Sequence, residues 1–187
     1  MGKLLREASK VADFQPAVQN TEIWEGGYAN SPSDSGGETY RGISRVNFPN
    51  WSGWTLIDAA KNAPLFPRSL DANSVLQAAV VSFYQTNFWH YNGINSQAIA
   101  NKVFDLCVNM GSHHGITITQ LALNSLGVTV RPDGVYGPGT EAAINATPPG
   151  SLLPSMKLQA EKYYEAIVVS HPEDSKFLAD WIRRADA

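Results

Sequence analysis

The sequence predicts a mainly α fold with one small β-hairpin. Three observations predict it. Apolar residues recur at three- and four-residue intervals through segments that stop at Gly or Pro, the pattern of helices buried on one face. One segment, residues 28–44, breaks that period and is rich in Gly, Ser, Asn and Asp, so it turns back on itself. Hydrophobic residues make up 43% of the 187 and charged residues 17%, too apolar for a disordered chain, so a packed core is expected.

Taken in order, Phe14, Val18, Thr21 and Glu25 fall at i, i+4, i+7 and i+11, one face of a first helix. Asp13 is placed to cap it, Pro16 sits in its first turn and Gly26-Gly27 stops it. Tyr28 to Ser44 reads as an irregular hairpin of two short strands, with Asp34-Ser35-Gly36-Gly37 as its turn. Thr55 to Lys61 is a short helix. Leu70 to Trp89 is a long one, with Val75, Ala78, Ala79, Ser82 and Phe83 at helical spacing. Ile94 to Met110 repeats the pattern through Ile99, Val103, Phe104, Leu106 and Cys107 and ends at Gly111, and a helix over Ile116 to Leu126 stops at Gly127. The Gly- and Pro-rich stretch Arg131 to Gly139 is a loop, after which Thr140 caps a short helix through Ile144. Thr147 to Gly150 is a second break. Helices over Leu152 to Val169 and Phe177 to Arg183 complete the chain. There is no internal repeat. A soft boundary near residues 93–100 divides the chain into regions 10–95 and 96–185, expected to pack as one body.

Composition excludes several classes of function. The net charge of −3, without a long like-charged run, leaves no footprint for nucleic acid or anionic lipid. A single Cys107 forms no internal disulfide. Lys3, Arg6, Glu7, Lys10 and Asp13 interrupt the first twenty residues, so these do not read as a cleavable signal peptide, and no stretch approaches a membrane span.

Two carboxyls stand out. Glu25, at the end of the first helix on the face of Phe14 and Val18, is expected to be partly desolvated, as suits a general acid. Asp34, nine residues on in the polar hairpin, is expected to stay ionised. Carboxyls in contrasting environments are what the acid and the stabilising roles of glycosidic cleavage need. Thr39 is placed to direct a hydroxyl into the same cleft and help hold a water. Asp34 also reads as a turn former bonding its own backbone. Glu38 is taken as a solvated edge charge, because strand alternation turns it away from Gly37 and Thr39.

Glu25-Gly26-Gly27-Tyr28, followed by Asn30, Asp34, Gly36-Gly37, Thr39 and Gly42-Ile43, resembles the opening motif of glycoside hydrolase family 108, the N-acetylmuramidases. The resemblance implies a lysozyme-like fold with the hairpin beside the active cleft. It also implies Glu25 as the catalytic acid, hydrolysing the β-1,4 bond from N-acetylmuramic acid to N-acetylglucosamine. The Glu25 and Asp34 spacing is also similar to the Glu, Asp, Thr triad of phage-type lysozymes. The step from Asp34 to Thr39 is one residue shorter than that pattern, and Tyr40 falls at the longer spacing. Asp133-Gly134-Val135-Tyr136-Gly137-Pro138-Gly139-Thr140 is similar to the D-G-x-x-G-x-x-T signature of peptidoglycan-binding domains. Phe104-Asp105 with Asn109 and Gly111, and the run Phe177 to Arg184, resemble parts of the predicted peptidoglycan domain paired with that hydrolase family.

Tyr28, Asn30 and Asn109 are therefore the substrate-binding candidates, with Tyr28 equally readable as core. Asp133 to Thr140 also reads as a plain loop and helix cap. His113-His114 lacks a metal-binding pattern, and Cys107, spaced with Val103 and Phe104, reads as a buried thiol rather than a peptidase nucleophile. The expectation is a cofactor-free monomer whose partner is bacterial peptidoglycan. It would be made in the cytoplasm and reach the periplasm or wall through a holin or a secretion system. The rivals are a non-catalytic wall-binding module and an amidase or endopeptidase.

Overall fold

The computed structural model describes residues 11–22, 24–30 and 37–187 of the chain. It is mainly helical, with one small antiparallel sheet, as the sequence predicts. Helix α1 (Phe14–Glu22) buries Phe14, Ala17, Val18 and Thr21, the spacing read from the sequence. It stops short of Glu25. There the N–H of Glu25 donates to Glu22 O (3.2 Å) in a tighter turn, and Gly27 O already accepts from Arg41 N (3.4 Å). The onset of strand pairing draws the chain out of the helix before Glu25 is reached.

The sheet runs β1 (Tyr28–Asn30), β2 (Glu38–Tyr40) and β3 (Ile43–Ser44), with Tyr28 opposite Tyr40, Ala29 opposite Thr39, and Tyr40 opposite Ile43. The third strand, which the sequence reading lacked, exists because of a two-residue turn. Arg41 (φ 47°) and Gly42 (φ 74°) are both left-handed, the backbone that matches strand twist in a tight hairpin. Arg41 is held in this uncommon conformation from two sides. Tyr84 Oη donates to its carbonyl (2.6 Å) and its guanidinium donates to Asp71 (3.0 Å).

Helix α2 (Gly53–Ala60) follows, then a 3-10 turn at Arg68–Leu70 and helix α3 (Ser74–Phe88). The long helix starts at Ser74 rather than Leu70 because the Asn73 side chain caps it, accepting from Leu76 N (3.1 Å). Leu76, Val80, Phe83 and Tyr84 form its buried side.

Helix α4 (Gln97–Met110) begins at the Ser96 cap and ends at Gly111 (φ 83°), and α5 (Ser112–Ser125) restarts at once. The two lie backbone against side chain. A Cβ on Gly115 would sit 2.7 Å from both N and Sγ of Cys107, so only glycine allows this approach. Burial pushes the Cys107 thiol up to about 12, making it the inert core thiol its spacing predicts. Phe104, fully buried, meets Phe14 edge-on at 5.8 Å. Helices α6 (Pro138–Ala146), α7 (Pro149–Ser170) and α8 (Leu178–Asp186) follow, with a 3-10 turn at Pro172–Phe177 before the last. Helix α7 packs on α4 and α5, and α8 packs on α7. No helix among the described residues is long and apolar enough to cross a membrane.

The described residues group into two compact units. Glu22–Trp89, with the sheet, α2 and α3, forms one; the residues before and after it, with α4 to α8, form the other.

Candidate active site

Glu25 and the hairpin lie in the Glu22–Trp89 unit. The half-buried Glu25 carboxylate rests on the β2–β3 turn. A Cβ on Gly42 would fall 2.1 Å from Glu25 Oε2 and 2.8 Å from Tyr84 Oη, so the carboxylate and the phenol crowd the same spot over a bare backbone. Gly42 is thus required twice, by its left-handed φ and by the carboxylate above it. Beyond Glu25 the surroundings differ. Among the described residues, a Cβ on Gly26 or Gly27 meets nothing within 4 Å, so backbone next to the acid is open to a ligand. One side of Glu25 is packed and the other accessible, the arrangement a reacting carboxyl needs.

Of the other candidates, Asp34 lies outside the described residues. Thr39 is the middle residue of β2, half-buried, between Ala29 and Ser44. Its neighbour Tyr40 is 1% exposed, and its hydroxyl accepts from Gln77 Nε2 (2.8 Å). Tyr40 is therefore core, and alternation turns Thr39 to the opposite face. Asn30 is exposed at the end of β1, opposite Glu38. Tyr28 meets Phe66 edge-on at 4.8 Å and its hydroxyl donates to Glu38 (2.8 Å); burial and that carboxylate push the phenol pKa up. Asn109 belongs to the other unit, where its amide donates to Tyr164 Oη. The structure therefore gathers Glu25, Tyr28, Asn30 and Thr39 in one unit and places Asn109 in the other.

Glu38 corrects the sequence reading. Its side chain is only 10% exposed and is bound by Arg45 (2.7 Å), Lys61 (2.8 Å) and the Tyr28 hydroxyl. Burial alone raises its pKa, but the Lys61, Arg45 and Tyr28 hydrogen bonds outweigh that and hold it below the usual glutamate value. Asp58 completes the cluster, accepting from Arg45 (2.6 Å) and Lys61 (2.7 Å), while the Arg45 guanidinium lies 5.2 Å above the Trp54 ring. This carboxylate is a clasp between β2 and α2. It is not a solvated edge charge.

Two residues of consequence escaped the sequence reading. Tyr84 was readable only as the continuation of the buried Leu76–Val80 row. Gln120, 1% exposed, is the hub of the Asp133–Thr140 motif: its Nε2 donates to Asp133 Oδ1 (3.0 Å) and Thr140 Oγ1 (3.1 Å), and its Oε1 accepts from Gly134 N (2.9 Å). An amide among Ile116, Thr119 and Leu123 on a buried helical face was the available signal. Gly134 (φ 70°) also lets the loop approach His113, where a Cβ would lie 2.3 Å from Nδ1. Asp133 and Thr140 are thus engaged within their own fold.

The chain is similar to known families and to a solved structure. The family described as Glycosyl hydrolase 108 matches residues 18–111, and the Predicted Peptidoglycan domain matches residues 114–186. The structure of Brucella abortus SagA is similar in fold, with a TM-score of 0.57 and 18% identity over 92% of each chain. Among curated protein sequences none matches. The chain belongs to glycosyl hydrolase family 108, joined to a predicted peptidoglycan domain, and is a glycoside hydrolase acting on peptidoglycan.

Proposed function

We propose that the protein is a muramidase in which Glu25 is the general acid. The observation that carries this reading is the setting of Glu25, braced against Gly42 and Tyr84 on one side and beside the open Gly26-Gly27 backbone on the other. A sugar ring seated on that open backbone brings its glycosidic oxygen to the carboxyl, which gives up its proton as the bond to the departing sugar breaks. Asp34, with the Thr39 hydroxyl, holds the attacking water or steadies the oxocarbenium-like charge. Tyr28 and Asn30 contact the sugar on the sheet side. Asn109 serves substrate from the second region, and we assign residues 10–95 to hydrolysis and 96–185 to holding the wall.

The test is release of reducing ends from peptidoglycan with its peptides intact, by the wild type and by Glu25→Gln, both checked for equal folding. Loss of a general acid lowers turnover by about 10²–10⁴-fold. Muramic reducing ends from the wild type that vanish in the variant establish bond and acid together. Equal turnover in both removes Glu25 from the mechanism. Release of new amines in place of reducing ends makes the enzyme an amidase or endopeptidase.

A further inference from the structure

A second concave surface lies in the same unit, on the far side of α3. It is a groove of about 540 Å³ between the loop leading into α2 and the second half of α3. That volume falls within the range of small-ligand sites, roughly 300–1,000 Å³. Ser82 and Thr86 line it, each two residues from Tyr84, and at 3.6 residues per turn they project from the side of α3 opposite Tyr84 and Glu25. The groove is therefore separate from the candidate active site.

Its floor is aromatic and preformed. Phe48, Trp51 and Phe83 meet edge-to-face, Phe48 to Phe83 at 4.7 Å and Trp51 to Phe83 at 6.1 Å. Trp51 is locked from two directions. Its indole N–H donates to Ala79 O (3.3 Å), and its ring lies so close to Gly53 that a Cβ there would be 2.3 Å from the ring carbons. Trp54 Nε1 donates to Phe48 O (2.8 Å), tying down the loop that carries Phe48. The platform is held before any ligand arrives.

Its rim is amide and hydroxyl. Asn47 and Asn50 bring amide groups to it, and Asn87, whose amide nitrogen donates one hydrogen to Phe83 O (2.8 Å), brings its amide oxygen, with Ser52, Ser82 and Thr86 between them. Among the described lining residues none is charged. A neutral groove with an apolar floor discriminates against anions and charged peptides, for which it offers no counter-charge. It suits a neutral, flat ligand with one apolar face and amide hydrogen-bonding groups. Those are the properties of an N-acetylated amino sugar, whose ring stacks on the aromatic floor while its acetamido N–H and C=O pair with asparagine amides.

We propose that this groove is a second saccharide site that takes N-acetylated amino sugars of a glycan strand, apart from the Glu25 site. The inference rests on the chain acting on peptidoglycan and not on the role of Glu25. A groove this open binds a single segment weakly, with Kd near 1 mM. On a polymer the weak contact counts for more, because a strand held at one site faces the other at an effective concentration in the mM range.

The test is NMR titration of the full Glu25→Gln chain, which keeps the ligand uncleaved, with tetraacetylchitotetraose, with a peptide-free muramic-containing tetrasaccharide of the wall, and with maltotetraose. Expected are shifts of the Trp51 indole N–H and of the Asn50 and Asn87 side-chain amides with the chitin fragment, and smaller shifts with the muramic tetrasaccharide, whose lactyl carboxylates meet no counter-charge in the groove. Response to the chitin fragment alone marks N-acetylglucosamine runs as the ligand; response to both marks the wall strand. Ser82→Tyr, an exposed substitution that fills the groove, should abolish these shifts while the rest of the spectrum stays in place. Three results each overturn the proposal: no movement of these signals up to ~10 mM, well above the expected Kd; equal movement with maltotetraose; or shifts that survive in Ser82→Tyr. Signals of Gly42 and Tyr84 report the Glu25 site separately, so failure of the muramidase reading is distinguishable from failure of this one.

Discussion

Gly42 carries two demands that no other residue type meets. A side chain there would sit in the left-handed region, at a cost of about 1–3 kcal/mol, and its Cβ would collide with Glu25 Oε2 at 2.1 Å. The neighbouring Arg41 (φ 47°) already occupies that region and is held by Tyr84 and Asp71, so the turn has little room for further strain. Gly42→Ala is therefore expected to lower stability by about 1–3 kcal/mol in urea unfolding. It should also depress reducing-end release by more than the loss of folded protein explains, because the carboxylate must move. Wild-type turnover per folded molecule in Gly42→Ala would detach Glu25 from its bracing and remove the positional argument for it.

At the scale of elements, β2 and α2 are joined by Glu38, Arg45, Asp58 and Lys61, four charges drawn from the hairpin, the following turn and the end of α2. Glu38 has a pKa below its ordinary value of 4.5 in the folded chain, so its contribution is complete above pH 4.5 and is lost as pH falls through the folded value. The urea midpoint of the wild type should thus decline between pH 5 and 3 more steeply than that of Glu38→Gln, which has no proton to take up; parallel declines would mean that the clasp is electrostatically idle. This cluster also shows what the sequence made legible. The buried row of α1 through Thr21, the glycine breaks and the helical character of α3 to α8 follow from periodicity, which is local. Glu38 was misread because strand alternation assigns a face but not what covers it, and its cations come from a turn and a helix further along the chain. Strand β3 was missed because a left-handed Arg41 is imposed by Tyr84 and Asp71, not by its own preference. Glu25 was placed on a helix because its spacing fits one, whereas a strand pairing at Gly27 decides the backbone there. Its motif pointed to the residue, and the turn beneath it was visible only as Gly42-Ile43.

At the scale of the whole molecule, one of the two units is built from two separate stretches of the chain. The unit holding α4 to α8 takes in α1 through Ala12 N to Ile94 O (2.9 Å) and through Gln97, whose side chain bonds both N and O of Asp13. The match to the hydrolase family ends at residue 111, so α4 belongs to that segment by sequence and to the helical unit by structure. The C-terminal helix closes this unit on a buried charge cluster: Arg184 pairs with Asp105 (3.0 Å), and Lys102 Nζ donates to Arg184 O (3.0 Å) with Asp105 at 3.9 Å. Lys102 is 4% exposed, and burial pulls its pKa down from 10.5 to about 8, a penalty of about 3 kcal/mol on its charged form. A lysine with a depressed folded pKa sheds its proton in the folded chain first, so stability rises as pH climbs from 8 towards 10.5 and is lowest, and flat, below 8. Cys107 works in the opposite sense above pH 9, since its folded pKa of about 12 keeps it protonated while the unfolded thiol ionises. Both effects are present in the wild type, but only the second remains in Lys102→Met. The difference in unfolding free energy between the two chains should therefore move by about 1 kcal/mol in favour of the wild type between pH 8 and 9. A difference that stays constant over that interval would show that Lys102 reaches water or keeps its proton through Asp105, and that the C-terminal helix is closed by packing and the Arg184 pair alone.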